Sequence, residues 1–109
     1  MIKSMTVNEL REKLDSHEDL ILIDCREQEE WDEAHINGAV FIPLSNFMEA
    51  GKEILAGKEE AQIIIQCRSG KRSLQACQML MQEDYENLSN LEGGILEWVN
   101  QGYEVENDQ

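Results

Sequence analysis

The chain has 109 residues, of which 41% are hydrophobic and 29% charged, a composition typical of one globular domain with a single core. Its formal net charge of −14 excludes the broad basic face that nucleic-acid binding needs. No stretch approaches the roughly 20 apolar residues of a membrane span, and no signal-peptide core follows the first residues, so we expect a cytoplasmic protein with no membrane partner.

The N-terminal part of the chain alternates predicted strands and helices. Residues 2–5 favour a short edge strand. Thr6 and Glu9 then form a capping box, which predicts a helix to about residue 14. The apolar run at residues 20–23 is typical of a strand that is covered on both faces. A short acidic helix is expected at about residues 27–32.

The middle of the chain continues this alternation. A short strand is predicted at residues 39–42, and the single proline, Pro43, ends it. A helix then follows to about Gly57. Residues 63–65 are three β-branched apolar residues, which predict a buried strand, and the pattern at residues 74–81 predicts a helix.

The C-terminal part completes the predicted architecture. On the helix after residue 70, the expected buried stripe is Leu74, Cys77, Met81 and Leu80. A last strand is predicted at residues 87–91 and a closing helix from Gly93 and Gly94 to a cap at Gly102. We therefore expect one α/β domain over residues 1–109 with a mainly parallel sheet, a core at about 6–102, and a frayed acidic tail at 104–109.

A tight turn joins the predicted strand at residues 63–65 to the helix that follows. It begins with Cys67 and contains one glycine, Gly70. A loop in this position directs successive backbone N–H groups at one point, and the helix N-terminus adds positive potential there. Such settings lower the pKa of a thiol from about 8.5 to roughly 3.5–7.5. Cys67 is therefore predicted to be a nucleophile in an anion-binding loop at the carboxyl end of a strand.

The distribution of charge supports this prediction. Three of the nine cationic residues, Arg68, Lys71 and Arg72, lie within residues 67–72, and no acidic residue does. An acidic surface with one small cationic pocket suits the capture of a small anion. The hypothesis requires that the Cys67 sulfur be reachable from solvent and that the neighbouring main-chain nitrogens face it.

Three segments, in order, resemble the signatures of the rhodanese family over about residues 6–102. They are Asp24-Cys25-Arg26-Glu27 with Glu30-Trp31, His35-Ile36-Asn37-Gly38-Ala39 and Ile42-Pro43; Cys67-Arg68-Ser69-Gly70-Lys71-Arg72; and Leu91-Glu92-Gly93-Gly94-Ile95 with Trp98. The resemblance implies a three-layer domain with a five-stranded sheet between helices. It also implies a sulfurtransferase that carries sulfur as a Cys67 persulfide, from thiosulfate or another sulfane donor to cyanide or a thiol.

The resemblance makes the loop the substrate-binding site. The residues implied are Arg68, Ser69, Gly70, Lys71 and Arg72. Neither a metal nor a cofactor is expected, since a sulfane sulfur needs only a low-pKa thiolate and no general base. A zinc site from Cys25, Cys67, Cys77 and His35 would lack the usual close ligand spacing.

Two alternatives remain open. Cell-cycle tyrosine phosphatases and arsenate reductases have a similar fold, but their loop is one residue longer, with arginine six positions after the cysteine. Here that position is Ser73, and Arg72 comes one residue early, so the loop suits a sulfur atom better than a phosphoryl group. A persulfide carrier takes sulfur from one protein and passes it to another. It would show the same sequence motifs as a sulfurtransferase enzyme, so the sequence does not separate these two functions.

Several other residues are expected to be structural. Asp24 and Arg26 are predicted to form an ion pair, His35 to make a structural hydrogen bond, and Cys77 to lie in the core. Cys25 stands where the rhodanese family usually has an aliphatic residue. It fits as a small buried hydrophobe, and a resolving thiol close to the site is the alternative.

Overall fold

A computed structural model describes residues 1–107 and shows a five-stranded sheet between two layers of helices. The strands are β1 (Ile2–Met5), β2 (Ile21–Asp24), β3 (Val40–Phe41), β4 (Ile63–Gln66) and β5 (Leu88–Leu91). The helices are α1 (Val7–Asp15), α2 (Gln28–Glu33), α3 (Phe47–Ile54), α4 (Lys71–Gln82) and α5 (Gly94–Asn100), with a short 3-10 helix at Leu44–Asn46. The predicted α/β fold with a mainly parallel sheet is confirmed.

The sheet has the strand order β1-β5-β4-β2-β3, and all four of these pairings are parallel. β4 therefore lies at the centre of the sheet, and β1 is an edge strand as expected. All four residues of β4 are buried, which explains why its first three residues form a continuous apolar run and do not alternate with polar ones.

Successive residues of the strands point to opposite faces and separate the core into two clusters. Ile23 and Ile65 belong to the cluster that contains Phe47 of α3 and Cys77 of α4. A second cluster, on the other face, combines Leu22 and Ile64 of the strands with Leu10 of α1 and Trp98 of α5. One helical layer therefore contains α3 and α4, and the layer on the opposite face contains α1 and α5.

The capping box of α1 forms as the sequence predicts. The Glu9 N–H donates to the Thr6 hydroxyl at 3.1 Å, and the Thr6 N–H donates to the Glu9 carboxylate at 3.1 Å. Both bonds satisfy amides that the first turn of a helix leaves unpaired.

The buried stripe of α4 differs from the prediction. Leu74 and Met81 are 40% and 42% exposed, so their assignment to the core was wrong. The buried residues are Ser73, Ala76, Cys77 and Leu80. The Ser73 hydroxyl lies inward and contacts Cys67 and Asn90, so the buried face of α4 begins at this polar residue, which hydrophobicity alone does not favour.

The acidic tail is ordered where frayed ends were expected. Glu106 and His35 exchange two backbone hydrogen bonds of 2.8 Å, and the Glu104 carbonyl accepts the indole N–H of Trp98 at 2.8 Å. The prediction of fraying was wrong at these residues, since main-chain pairing holds the segment against the domain. Residues 108–109 lie outside the described part of the chain.

Within residues 1–107, the structure contains no helix with the length and apolar character that crossing a membrane requires.

Candidate active site

The loop that contains Cys67 follows the central strand of the sheet. β4 ends at Gln66, Cys67 is the next residue, and α4 begins at Lys71. Gly70, at the N-cap of α4, has φ +108°, a conformation that residues with a Cβ rarely adopt. This glycine lets the chain turn back over the cysteine, as the sequence predicted.

The Cys67 sulfur accepts hydrogen bonds from the loop and from the first turn of α4. The Gly70 N–H donates to Sγ at 3.0 Å, and the Ser73 hydroxyl lies 3.3 Å from the same atom. The requirement that main-chain nitrogens face the sulfur is therefore met at Gly70. These donors stabilise negative charge on the sulfur.

Asn90 of β5 forms hydrogen bonds with the last residue of this loop and with the first turn of α4. Its side-chain amide N–H donates to the Gly70 carbonyl at 3.0 Å, and its carbonyl oxygen accepts from the Ser73 hydroxyl, whose single hydrogen is shared between this oxygen and Cys67 Sγ. Because one side chain binds both Gly70 and Ser73, the two groups that contact the sulfur are fixed relative to the sheet.

The carbonyl groups of the loop point away from the sulfur, towards the start of α5. The Ile95 N–H donates to the Cys67 carbonyl at 2.9 Å, and the Leu96 N–H donates to the Arg68 carbonyl at 3.1 Å. At Gly94 a Cβ would lie 2.4 Å from each of these carbonyl oxygens. A glycine is thus required for α5 to accept the loop carbonyls.

Cys25 lies beside Cys67 at the end of the neighbouring strand. Asp24 pairs with Gln66 in the parallel register, and the Cys25 N–H donates to the Gln66 carbonyl at 2.9 Å. Cys25 and Cys67 also belong to the same core cluster. Their side chains therefore face the same layer of the domain from adjacent strand ends.

The pKa of the Cys67 thiol is lowered to about 4. The largest cause is a hydrogen bond from the Cys25 thiol; the contacts from Ser73 and Gly70 add to it, and burial opposes it. The same contact with Cys67, together with burial, raises the pKa of Cys25 far above its ordinary value. Burial raises the pKa of Cys77 to about 12, so Cys67 is the cysteine that is ionised at neutral pH.

The accessibility of Cys67 differs from the expectation. Only 1% of the residue is exposed, so the prediction of a sulfur that solvent reaches directly was wrong for this conformation. Arg68, Ser69 and Lys71 of the same loop are exposed. The sulfur thus lies beneath a short segment whose outer side chains face solvent.

The three cations of the loop have different surroundings. Arg72 makes a bidentate ion pair with Glu30 of α2, with distances of 2.7 and 2.9 Å. Hydrogen bonding from Arg72 lowers the pKa of Glu30 to about 2. Arg68 and Lys71 are exposed, whereas Arg72 already links α4 to α2. Contact between any of these cations and a substrate stays a prediction.

The residues expected to be structural are placed accordingly. Arg26 pairs with the buried carboxylate of Asp24 at 2.8 Å and donates to the Ala34 carbonyl at 2.6 Å. His35 stacks on Trp31 with ring centroids 3.8 Å apart, and its Nδ1 lies 2.9 Å from the Trp31 carbonyl. The predicted ion pair of Asp24 with Arg26 and the predicted hydrogen bond of His35 are confirmed. Within the described residues, no group of three or more His, Cys, Asp or Glu side chains could hold a metal ion.

The sequence did not reveal three residues that shape the site. Asn90 is a polar residue in a buried strand, Gly94 follows another glycine at a helix start, and Glu30 lies on an acidic helix. Each pattern has a local explanation, so none pointed to a loop that is distant in sequence. The two adjacent polar residues of β5, Ser89 and Asn90, were the clearest available signal.

Comparison with known proteins identifies relatives over nearly the whole chain. The family model of the rhodanese-like domain matches residues 6–101. A sulfurtransferase from Allochromatium vinosum is 33% identical, and the match covers 96% of this chain and 95% of that protein. The crystal structure of a rhodanese-like domain protein from Staphylococcus aureus superimposes with a TM-score of 0.82 at 27% identity, covering 98% of this chain and 99% of that one.

Other relatives are longer proteins. The putative sulfur carrier protein YrkF of Bacillus subtilis is 33% identical, and the match covers 90% of this chain and 51% of that protein. The probable adenylyltransferase/sulfurtransferase MoeZ of Mycobacterium tuberculosis is 35% identical over 90% of this chain, which spans only 25% of its length. From the family match, the full-length relative and the shared fold, we conclude that this chain belongs to the rhodanese family.

Proposed function

We propose that this protein is a sulfurtransferase in which the Cys67 thiolate accepts a sulfane sulfur. The thiolate attacks the outer sulfur of thiosulfate, the sulfur–sulfur bond of the donor breaks, and sulfite leaves with the bonding electrons. Cys67 is then a persulfide anion. A persulfide donor reacts in the same way and releases its thiolate. The observation that carries this proposal is the convergence of the Gly70 N–H and the Ser73 hydroxyl on the Cys67 sulfur, contacts that lower the pKa of this thiol.

The hydrogen-bond donors that stabilise the Cys67 thiolate also stabilise the persulfide intermediate. A persulfide carries its negative charge on the outer sulfur, one bond beyond Cys67 Sγ. The Gly70 N–H and the Ser73 hydroxyl already converge on Sγ, and the N-terminus of α4 adds positive potential on that side. In the second half-reaction, cyanide or a thiolate attacks the outer sulfur, and the Cys67 thiolate leaves.

Binding of an anionic donor is assigned to the outer part of the loop. Arg68 and Lys71 are exposed and carry no acidic partner within the loop itself. Ser69 offers a hydroxyl, and Gly70 brings the main chain close to the sulfur. Arg72 contributes positive potential from its ion pair with Glu30, and it would reach the donor only by releasing that carboxylate.

The proposal requires the loop to open. Because Cys67 is 1% exposed, a donor reaches the sulfur only after the atoms that cover it move aside. Exposed side chains rearrange without loss of core packing. The three cysteines are free thiols, which fits a reducing compartment such as the cytoplasm.

A second candidate function is sulfur carriage between proteins. Its support is the relation to the putative sulfur carrier YrkF and the acidic surface, with a net charge of −14, which favours a basic partner surface. A carrier would accept sulfur from a protein persulfide faster than from thiosulfate. The phosphatase alternative is disfavoured because Ser73, and not an arginine, occupies the sixth position after Cys67 and donates to its sulfur.

The experiment that tests the proposal measures sulfur transfer and its covalent intermediate together. Thiosulfate is added to the reduced protein, intact mass spectrometry detects the gain of one sulfur atom, and peptide mapping locates it. We expect the sulfur on Cys67, and loss of thiosulfate:cyanide activity in Cys67→Ser. Cys77→Ser is the matched control and retains activity. Full activity in Cys67→Ser would overturn the assignment.

Parallel assays separate the alternatives. Turnover of a generic aryl phosphate would favour the phosphatase function. Transfer from a persulfide-loaded cysteine desulfurase that is much faster than transfer from thiosulfate would favour the carrier.

A further inference from the structure

Cys25 is a second thiol at the site; in the proposed sulfurtransferase reaction it stabilises the Cys67 thiolate but forms no covalent bond. It follows β2 as Cys67 follows β4, and these strands are neighbours in the sheet. Neighbouring strands lie about 4.8 Å apart, a separation within the roughly 4.4–6.8 Å between Cα atoms that disulfides span. Because Cys25 and Cys67 belong to the same core cluster, both side chains point to the same face.

We propose that Cys25 is a resolving thiol that discharges the Cys67 persulfide and leaves a Cys25–Cys67 disulfide. This inference rests on the proposed sulfurtransferase function. The Cys25 sulfur attacks Sγ of Cys67, the bond between Sγ and the outer sulfur breaks, and the outer sulfur departs with the bonding electrons. The proton of the Cys25 thiol goes to the departing sulfur. One thiol and one persulfide anion thus give one disulfide and one hydrosulfide ion, and no external oxidant is needed.

The order of these events follows from the charge at the site. While Cys67 is a thiolate, the Cys25 thiol donates to it, and its own pKa is raised. Cys25 is then a poor nucleophile. Persulfide formation moves the negative charge from Sγ to the outer sulfur. The charge that held the proton on Cys25 is then one bond farther away, and Sγ, now bonded to a sulfur that can leave, is open to attack by Cys25, whereas an external acceptor attacks the outer sulfur.

Because both sulfurs are buried, Cys25 is better placed than an external thiol to attack the Cys67 persulfide. Cys25 is 0% exposed and Cys67 is 1% exposed, so an external thiol must enter beneath the loop, whereas Cys25 is already there. An acceptor such as cyanide competes by removing the outer sulfur first. A dithiol reductant returns the disulfide to two thiols by exchange, and it is itself oxidised to a disulfide.

The test uses the full chain, reduced and kept anaerobic, with thiosulfate as the sulfur source. In the parent protein we expect the mass to rise by one sulfur atom and then fall to two hydrogens below the reduced protein. One equivalent of hydrosulfide should be released, and peptide mapping should join Cys25 to Cys67. In Cys25→Val the persulfide should persist, with at least a tenfold loss of hydrosulfide release. Cys25→Ala should behave as Cys25→Val does, which separates loss of the thiol from a packing effect.

Cys77→Ser is the control, since Cys77 lies on α4 and has no part in the scheme; it should form the same disulfide as the parent. Excess cyanide should suppress the disulfide and give thiocyanate. A persulfide that is equally stable in the parent and in Cys25→Val would overturn this inference and leave the sulfurtransferase proposal intact. Absence of persulfide from every variant would overturn both, and a disulfide that forms without thiosulfate would identify simple oxidation instead.

Discussion

Gly94 lies so close to the Arg68 carbonyl that a Cβ at this glycine would be 2.4 Å from the carbonyl oxygen. The contact joins two segments that are distant in sequence, the loop after β4 and the start of α5. Because the Leu96 N–H donates to the same oxygen, the approach fixes the direction of the loop peptide groups. The conformation of the sulfur-binding loop thus depends on a residue that does not contact the sulfur.

Gly94→Ala should reduce both stability and sulfur transfer. The new methyl group must displace main-chain atoms, and alanine must adopt φ +58°. These two effects together should lower the free energy of unfolding by about 2–4 kcal/mol, measured by urea denaturation. Gly102→Ala is the control, since Gly102 has φ +84° but no atom within 4 Å of a built Cβ. Gly102→Ala should lower the free energy of unfolding by about 1–2 kcal/mol and leave sulfur transfer unchanged. Equal losses of stability and activity in both variants would contradict the role given to Gly94.

Cys25→Val should raise the pKa of Cys67, because the hydrogen bond from Cys25 is the largest cause of the lowered value. The rate of alkylation by iodoacetamide reports the thiolate. In the parent, whose Cys67 pKa is about 4, the rate per protein should be nearly constant from pH 6 to 8. In the variant the alkylation rate should fall as the pH decreases through the raised pKa of Cys67. Identical profiles for parent and variant would show that Cys25 does not stabilise the thiolate.

Ser73→Ala should also raise the pKa of Cys67, but by less than Cys25→Val does. The variant loses the hydroxyl contact to Sγ and keeps the main-chain donors of the loop. It also removes the bond to Asn90, so the loop should become more open to reagents. We therefore expect a pKa of Cys67 between those of the parent and Cys25→Val, measured from the same alkylation profile. A shift larger than that of Cys25→Val would reverse the assigned order of the two contacts.

Neutralising the loop cations should weaken the binding of thiosulfate. Lys71→Gln removes an exposed charge and Arg72→Gln removes a charge that is paired with Glu30. We expect a several-fold increase in KM for thiosulfate in each variant with a smaller change in kcat. Lys52→Gln, on α3, is a matched control for the loss of one cation. Unchanged KM in both loop variants would place the anion contact on the main chain alone.

The ion pair between Glu30 and Arg72 should make stability depend on pH in the acid range. The pKa of Glu30 is lowered from 4.5 to about 2 in the folded protein. The pair therefore contributes its full stabilisation above pH 4.5 and loses it as the pH falls towards 2. Because both side chains are partly exposed, the contribution should not exceed about 1 kcal/mol. Comparison of the parent with Glu30→Gln at pH 7 and pH 2.5 measures it, and a difference that is larger at pH 2.5 would contradict the assignment.

The sequence was sufficient to predict the order of elements and the place of Cys67 between β4 and α4. The apolar run of β4, the single glycine at Gly70 and the following helix determine where Cys67 lies, because each is a local pattern. The capping box of Thr6 and Glu9 likewise depends on residues within one turn. Such features are set by neighbours in the chain, and the sequence displays them directly.

Contacts between distant segments could not be predicted in the same way. The inward turn of Ser73 depends on Asn90, and the exposed positions of Leu74 and Met81 follow from it. The ordered tail depends on His35, which lies about seventy residues earlier in the chain. The position of Cys25 beside Cys67 depends on the register between β2 and β4. These relationships appear only when the strands are paired.

The central position of β4 links the chemistry to the cooperativity of the whole domain. β4 has a paired strand on each side and no exposed residue, so its amides should exchange with deuterium only through global unfolding. Cys67, the proposed nucleophile, directly follows the segment that should open last. On heating, the thiolate should consequently disappear together with the native fold and not before it, whereas the outer side chains of the loop keep their freedom at ordinary temperature.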